Sequence, residues 1–223
     1  MKGDIAIDGP SGSGKTSVGL RVAAELSLML VDSGLLYRVY TAGYVEQFPS
    51  DHCLRSDRMP QTLEHGVSYE SGGTVLYDGR VLQVSLHDPR VDSLVSPVSA
   101  IPLVRAAVNR ELRRIAASRD VVMVGRDIGT TVLPGALLKV FITADPEVRA
   151  SRRVAQLERQ GMPIDYDAVL ANIKSRDTID SSRKESPLRC TEEYMRLDNS
   201  ADGCDDVVQT ILSEYRKRLG HAI

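Results

Sequence analysis

The chain has 223 residues, 42% of them hydrophobic and 26% charged, which is enough to bury a full core as one domain or one domain with an insertion. A formal net charge of −2, no tryptophan and 4% aromatic residues argue against a general nucleic-acid binder, a membrane-surface binder and a base-stacking single-strand binder. Cys53, Cys190 and Cys204 lack C-x-x-C spacing, which argues against a disulfide framework and a zinc site; no apolar run reaches the length of a transmembrane helix. The N-terminus opens directly into the first strand and leaves no room for a signal peptide, so a cytoplasmic protein is expected.

In chain order, a strand is expected at residues 4–8 and a helix after it, with Val18, Val22 and Leu26 at helical spacing. Between them stand Gly9, Pro10, Ser11, Gly12, Ser13, Gly14, Lys15 and Thr16, a match to G-x-x-x-x-G-K-[ST] in its strand–loop–helix context. The chemistry needs these residue types in this order. Glycines let successive backbone N–H groups turn inward around a polyphosphate, and the following helix adds its positive end. Lys15 reaches the β- and γ-phosphates, and a hydroxyl ligates Mg²⁺, either Thr16 or Ser17.

A second strand is expected at 28–32 and a helix at 35–48. Asp32 and Ser33 then lie at a strand's carboxyl end, where open α/β sheets put their ligands, with Arg38 about one turn into the helix. Asp32 or Ser33 also reads as a helix cap. Residues 35–100 read as an insertion. Within it, 66–86 alternates like an antiparallel meander, with turns at Ser71-Gly72-Gly73 and Asp78-Gly79. A helix is expected at 102–117, carried by Val104, Val108, Leu112 and Ile115.

The next strand, 121–124, runs straight into Gly125, Arg126 and Asp127. Opposite charges side by side at a strand's carboxyl end point to a ligand, and Gly125 lets one come close. After a strand at 138–143, Asp145-Pro146 starts a helix over 145–160 with Arg149 and Arg153 on one face. A helix over 166–182 brings Arg176, Asp180 and Arg183 to one face. A last strand at 194–197 and a helix at 205–219 close the chain; Val208, Ile211, Leu212, Tyr215 and Leu219 form the helix's docking face. The alternation implies an α/β fold, a parallel five-stranded sheet of the P-loop NTPase type flanked by helices. There are no internal repeats, and the guanine-reading N-K-x-D motif of a GTPase switch is missing.

Arg38, Arg126, Arg149, Arg153, Arg176 and Arg183 exceed what a nucleotide donor needs, so a second, phosphorylated substrate is expected. Transfer between two phosphates explains the set. It requires little covalent work, charge neutralisation and alignment carry the catalysis, and an attacking phosphate dianion needs no strong general base.

These clusters resemble the bacterial cytidylate kinase family of nucleoside monophosphate kinases. The resemblance rests on Ile5-Ala-Ile-Asp-Gly-Pro-Ser-Gly-Ser-Gly-Lys15, Asp32-Ser-Gly-Leu-Leu-Tyr-Arg38, Val104-Arg105, Gly125-Arg-Asp-Ile-Gly-Thr-Thr-Val-Leu-Pro134 and Arg176-Asp-Thr-Ile-Asp180-Ser-Ser-Arg183, and it spans essentially the whole chain. It implies a core of residues 1–34 and 101–223, a short helical lid at about 149–183, and a monophosphate-binding insertion at 35–100. It further implies transfer of the γ-phosphoryl group of ATP to CMP or dCMP with Mg²⁺. A monomer is expected because no long uncovered apolar face stands out, with nucleotides rather than nucleic acid or membrane as partners.

Residue by residue, the resemblance implies that Arg38, Arg126 and Arg183 grip the acceptor phosphate and that Ser96, Arg105 and Asp127 read the cytosine edge. Arg176 and Asp180 hold the ribose hydroxyls, while Asp32 and Ser33 line the acceptor pocket. Arg149 and Arg153 belong to a lid over the ATP phosphates, and Lys15, Arg126, Arg153 and Arg183 carry the catalysis. The chain departs from the usual family pattern in having Thr16 directly after Lys15, Val124 before Gly125 and Gly135 after Pro134.

Overall fold

Short apolar runs of four to six residues become strands here, and the longer amphipathic stretches become the helices that cover them. The computed structural model describes residues 3–51, 53–69, 74–159, 165–183, 185–201 and 203–220. Its elements in order are β1 (Ile5–Asp8), α1 (Lys15–Leu26), β2 (Met29–Asp32), α2 (Ser33–Gln47), α3 (Met59–Leu63), β3 (Val67–Tyr69), β4 (Val75–Tyr77), α4 (Pro89–Ser99), α5 (Pro102–Ser118), β5 (Val121–Gly125), β6 (Leu138–Thr143), α6 (Pro146–Arg159), α7 (Tyr166–Ser182), β7 (Met195–Asp198) and α8 (Asp205–Gly220). A π-helical turn, Ile128–Val132, follows β5.

The main sheet has the strand order β2-β5-β1-β6-β7, with β1 at its centre. β1 runs parallel to β5 (Ile5 opposite Val122, Asp8 opposite Gly125) and to β6 (Ile5 opposite Leu138); β6 runs parallel to β7. All four residues of β1 are buried, as a strand covered on both faces must be. Ile5, Ile7, Val122, Val124, Val140 and Ile142 of the sheet form one core with Val18 and Val22 of α1 and with Val208, Ile211, Leu212 and Tyr215 of α8. The chain crosses the sheet in both directions from β1, so the carboxyl ends of β1 and β5 lie at the switch point where such sheets bind ligands.

The chain divides into two units, Met1–Leu30 with Asp120–Ile223, and Val31–Arg119. The first holds the phosphate loop, the core and α6 to α8. In the second, α2 packs on α3, α4, α5 and β4. α5 thus groups with the intervening segment, although the sequence reading assigns residues 101 onward to the core. Its apolar stripe, Val104, Val108, Leu112 and Ile115, is buried in company with α2, α3 and α4.

The meander expected at 66–86 is a two-stranded hairpin. β3 and β4 pair antiparallel, Val67 opposite Tyr77 and Tyr69 opposite Val75; the expected Ser71-Gly72-Gly73 turn lies outside the described residues. The third run, residues 81–84, adds no strand. After the turn at Asp78-Gly79, a single bridge joins Tyr77 to Arg80, and the Glu46 carboxylate then takes the N–H groups of Gln83 (2.9 Å) and Val84 (3.3 Å). With its backbone donors spent on a side chain, the run has no ladder to join. Among the described residues no single helix is long and apolar enough to cross a membrane.

Candidate active site

Residues 9–14 join β1 to α1, with Gly14 as the N-cap of α1 in a left-handed conformation (φ 89°). Gly14 suits the position on two counts. A side chain rarely adopts that φ, and a Cβ there would strike the amide nitrogen of Asn199. The Lys15 ammonium donates to the Pro10 carbonyl (2.5 Å) and to Ser13 Oγ (3.4 Å), so it lies on the loop that it serves. Thr16 and Ser17 are exposed in the first turn of α1.

Two of the expected lid arginines are arranged differently from one another. Arg149 is 3% exposed, and its guanidinium is used up by protein atoms. Nε donates to the Ala144 carbonyl (2.9 Å), Nη1 to the Ser11 carbonyl (3.1 Å), and Nη1 and Nη2 form a fork on the Asp177 carboxylate (3.0 and 2.6 Å). Arg149 therefore braces the outer wall of the phosphate loop and fastens α7 to it. Arg153, one turn on in α6, donates to Gln156 Oε1 (2.9 Å).

At the carboxyl end of β5, Arg126 Nε donates to Asp180 Oδ2 (2.8 Å), and Arg183 Nη2 donates to Asp180 Oδ1. Asp180 is 5% exposed. Burial pushes its carboxyl up, but the guanidiniums of Arg126, Arg183 and Arg176 outweigh that and hold it below the usual carboxylate range. The structure thus brings Arg126, Asp180 and Arg183 into one cluster within the unit that carries the phosphate loop. Asp127, also buried, is the next residue of the same turn.

The remaining expected residues belong to the second unit. Asp32 caps α2, accepting from Gly34 N (2.8 Å), and Ser33 is the first helical residue. Arg38 donates to the Leu86 carbonyl (2.6 Å) and pairs with Asp92 Oδ1 on α4 (2.7 Å). Arg105, buried on α5, donates to the Ser99 carbonyl (3.2 Å) and lies over the Tyr37 ring (5.7 Å). Ser96 is half-buried on α4 and accepts from Ser99 Oγ at its carbonyl (2.8 Å). The Arg38 pair with Asp92 and the Arg105 contact with Tyr37 hold α4 and α5 to α2, which is capped by Asp32 and begins at Ser33.

A family model described as Cytidylate kinase matches residues 5–217. The chain belongs to the cytidylate kinase family. It is 37% identical over 223 residues to a cytidylate kinase of Parabacteroides distasonis, covering 97% of each chain. It is 39% identical over 213 residues to a cytidylate kinase of Nocardia farcinica, covering 93% of this chain and 90% of that one. A shikimate kinase structure from Bacteroides thetaiotaomicron, 14% identical, superposes with a TM-score of 0.52 over 99% of each chain, a likeness of fold alone.

Three residues of this family member escape a reading of the sequence. Asn199, buried just past β7, donates from Nδ2 to the Ser13 carbonyl (2.9 Å) and from its backbone N to the Thr143 carbonyl (2.8 Å). It is the wall against which Gly14 lies. Asp177 looks in sequence like one more surface charge beside Arg176, and only the fork from Arg149 distinguishes it. Asp8 ends an apolar strand and is fully buried, which is an unusual position for an aspartate and the one signal the sequence does carry. Its carboxylate accepts from Ile128 N (2.9 Å), Gly129 N (2.8 Å) and the Tyr194 hydroxyl (2.7 Å). Burial pushes the Asp8 carboxyl above its usual range, against those three donors, and likewise raises the Tyr194 phenol.

Proposed function

We propose that this chain transfers the γ-phosphoryl group of ATP to CMP or dCMP, giving ADP and CDP or dCDP. The observation that carries the reading is the Arg126–Asp180–Arg183 cluster in the same unit as the Gly9–Thr16 loop, in a chain similar over nearly its full length to cytidylate kinases. One half handles a polyphosphate; the other holds two guanidiniums ready for a second phosphate.

In the reaction an oxygen of the acceptor phosphate attacks the γ-phosphorus in line. The new P–O bond forms as the bond to the β,γ-bridging oxygen breaks, and that electron pair leaves with ADP. Lys15 neutralises the β- and γ-phosphates, aided by Arg153 and by the inward N–H groups of the loop. Arg149 supports the loop from behind, through Ser11. Arg38, Arg126 and Arg183 hold the acceptor phosphate, Ser96, Arg105 and Asp127 read the cytosine, and Arg176 and Asp180 take the ribose hydroxyls. Asp32 and Ser33 line the acceptor pocket. A carboxylate suits the cytosine amino group, and a guanidinium or hydroxyl suits its ring nitrogen and carbonyl.

The exposed hydroxyl of Thr16, in the first turn of α1, fits Mg²⁺ brought in with the nucleotide, with Ser17 as its neighbour. Thr16, or Ser17, would hold the ion, which would supply positive charge to offset that on the phosphates of the nucleotide. A monomer acting in the cytoplasm on nucleotides alone completes the proposal.

A coupled assay with Mg²⁺ and ATP over CMP, dCMP, UMP, AMP and dTMP tests it. The expected outcome is preferential turnover of CMP or dCMP. A strong preference for any other acceptor overturns the reading.

A further inference from the structure

We propose that Asp8 is a positioning residue that sets the Arg126–Asp127 turn in register with the phosphate loop, and that it governs the acceptor side of the reaction more than the donor side. The inference rests on the phosphotransfer reading above and adds to it a residue that reading leaves without a role.

The geometry is that of a short span pinned at both ends. The β1–β5 ladder ends with Asp8 opposite Gly125, and there the chain leaves the sheet. Arg126 and Asp127 follow. Immediately beyond them, Ile128 N and Gly129 N both donate to the Asp8 carboxylate. These are the first N–H groups of the π-helical turn Ile128–Val132, the kind that no helical carbonyl can reach. The two charged residues therefore have the ladder on one side and the Asp8 carboxylate on the other, with little freedom between. On its own chain, Asp8 directly precedes Gly9. One side chain thus links the start of the donor loop to the turn that carries a proposed acceptor-phosphate ligand and a proposed cytosine reader.

An aspartate is the side chain this position requires. Two backbone donors and a phenol converge on it, and a carboxylate offers acceptors to all three. An asparagine would turn an NH₂ toward a donor, and a serine would reach only one of the N–H groups. Tyr194 fixes the carboxylate's rotation and is itself held edge-on against Phe141 (89°, centroids 5.9 Å apart). A buried charge is costly where an apolar residue would continue the strand, so its retention at a strand end calls for a purpose beyond packing. Holding a reacting group within a fraction of an ångström is such a purpose, because a misplacement of about 1 Å can lower a rate about 100-fold.

The test compares wild type with Asp8→Asn and Tyr194→Phe at a temperature where circular dichroism finds each folded. CMP kcat/KM, CMP affinity by calorimetry and ADP affinity by calorimetry are measured for each. Asp8→Asn is expected to lower kcat/KM for CMP at least tenfold and to weaken CMP binding, with ADP affinity within about threefold of wild type. Tyr194→Phe is expected to give a smaller loss with the same selectivity for CMP.

Wild-type kinetics in Asp8→Asn overturns the inference, and so does a loss of ADP affinity equal to that for CMP, which would make Asp8 a support of the loop alone. If Asp8→Asn does not fold, Tyr194→Phe decides: a CMP-selective loss supports the role, and wild-type kinetics overturns it. Failure of the wild-type protein to phosphorylate CMP in the same assay instead removes the underlying functional reading.

Discussion

Lys15 and Asp180 illustrate two ways in which a charge is kept ready within a folded chain. The Lys15 ammonium donates to a loop carbonyl and a serine hydroxyl, beside the loop where an incoming phosphate would offer it a charge-assisted bond. Lys15→Ala should therefore lower kcat about 10³-fold, measured in the coupled assay, with thermal stability little changed. Asp180 is held more tightly, by Arg126 and Arg183 together. Its folded-state pKa lies below the unfolded value of 3.8, so the stability it contributes is fully present above that value and is lost as pH falls through the folded value. Asp180→Asn should cost roughly 3 kcal/mol near neutrality by leaving two guanidiniums facing an uncharged amide. The gap in melting temperature between wild type and variant should then narrow as pH drops below 3.8, where the wild type loses the same charge.

Among the elements, α7 depends heavily on polar ties. Its described buried residues are Ile173 and Asp180 alone, so little apolar area holds it down. The Arg149 fork on Asp177 and the Arg126 contact to Asp180 do the fastening instead. Asp177→Ala should speed amide exchange across residues 166–182 severalfold while the strands β1, β5 and β6 stay protected, measured by hydrogen exchange with mass spectrometry. Equal exchange in wild type and variant would show that the fork is dispensable. The same helix is easy to read from the sequence in extent, 166–182, yet its means of attachment is not, because no pattern along the chain pairs Asp177 with Arg149. α4 is the opposite case. Val91, Leu94, Val95 and Val98 repeat at helical spacing, but Pro97 and three serines obscure the pattern, so the sequence reading places no helix there. The run at 81–84 alternates like a strand and is denied its ladder by Glu46, a residue more than thirty positions away.

At the scale of the molecule, two distant stretches of chain build one core. Met1–Leu30 and Asp120–Ile223 form the first unit, and α8 closes it by burying Ile211 against the sheet. Ile211→Ala should destabilise by about 3 kcal/mol, lowering the melting temperature by roughly 10 °C, while specific activity measured well below that temperature stays at the wild-type level. The sequence by itself determined what depends on neighbours along the chain. The eight residues from Gly9 to Thr16, the strand–helix alternation and the arginine–aspartate clusters are contiguous, and their turn geometry, periodicity and charge can be read directly. Only the tertiary structure decided which partner each polar group takes. Asp8 meets Ile128 N and Gly129 N across about 120 residues, Asn199 meets Ser13 across 186, and Arg149 meets Ser11 across 138. A buried hydrogen bond is set by distance in space, and residues so far apart in sequence become neighbours only after β1, β5, β6 and β7 have aligned in the sheet.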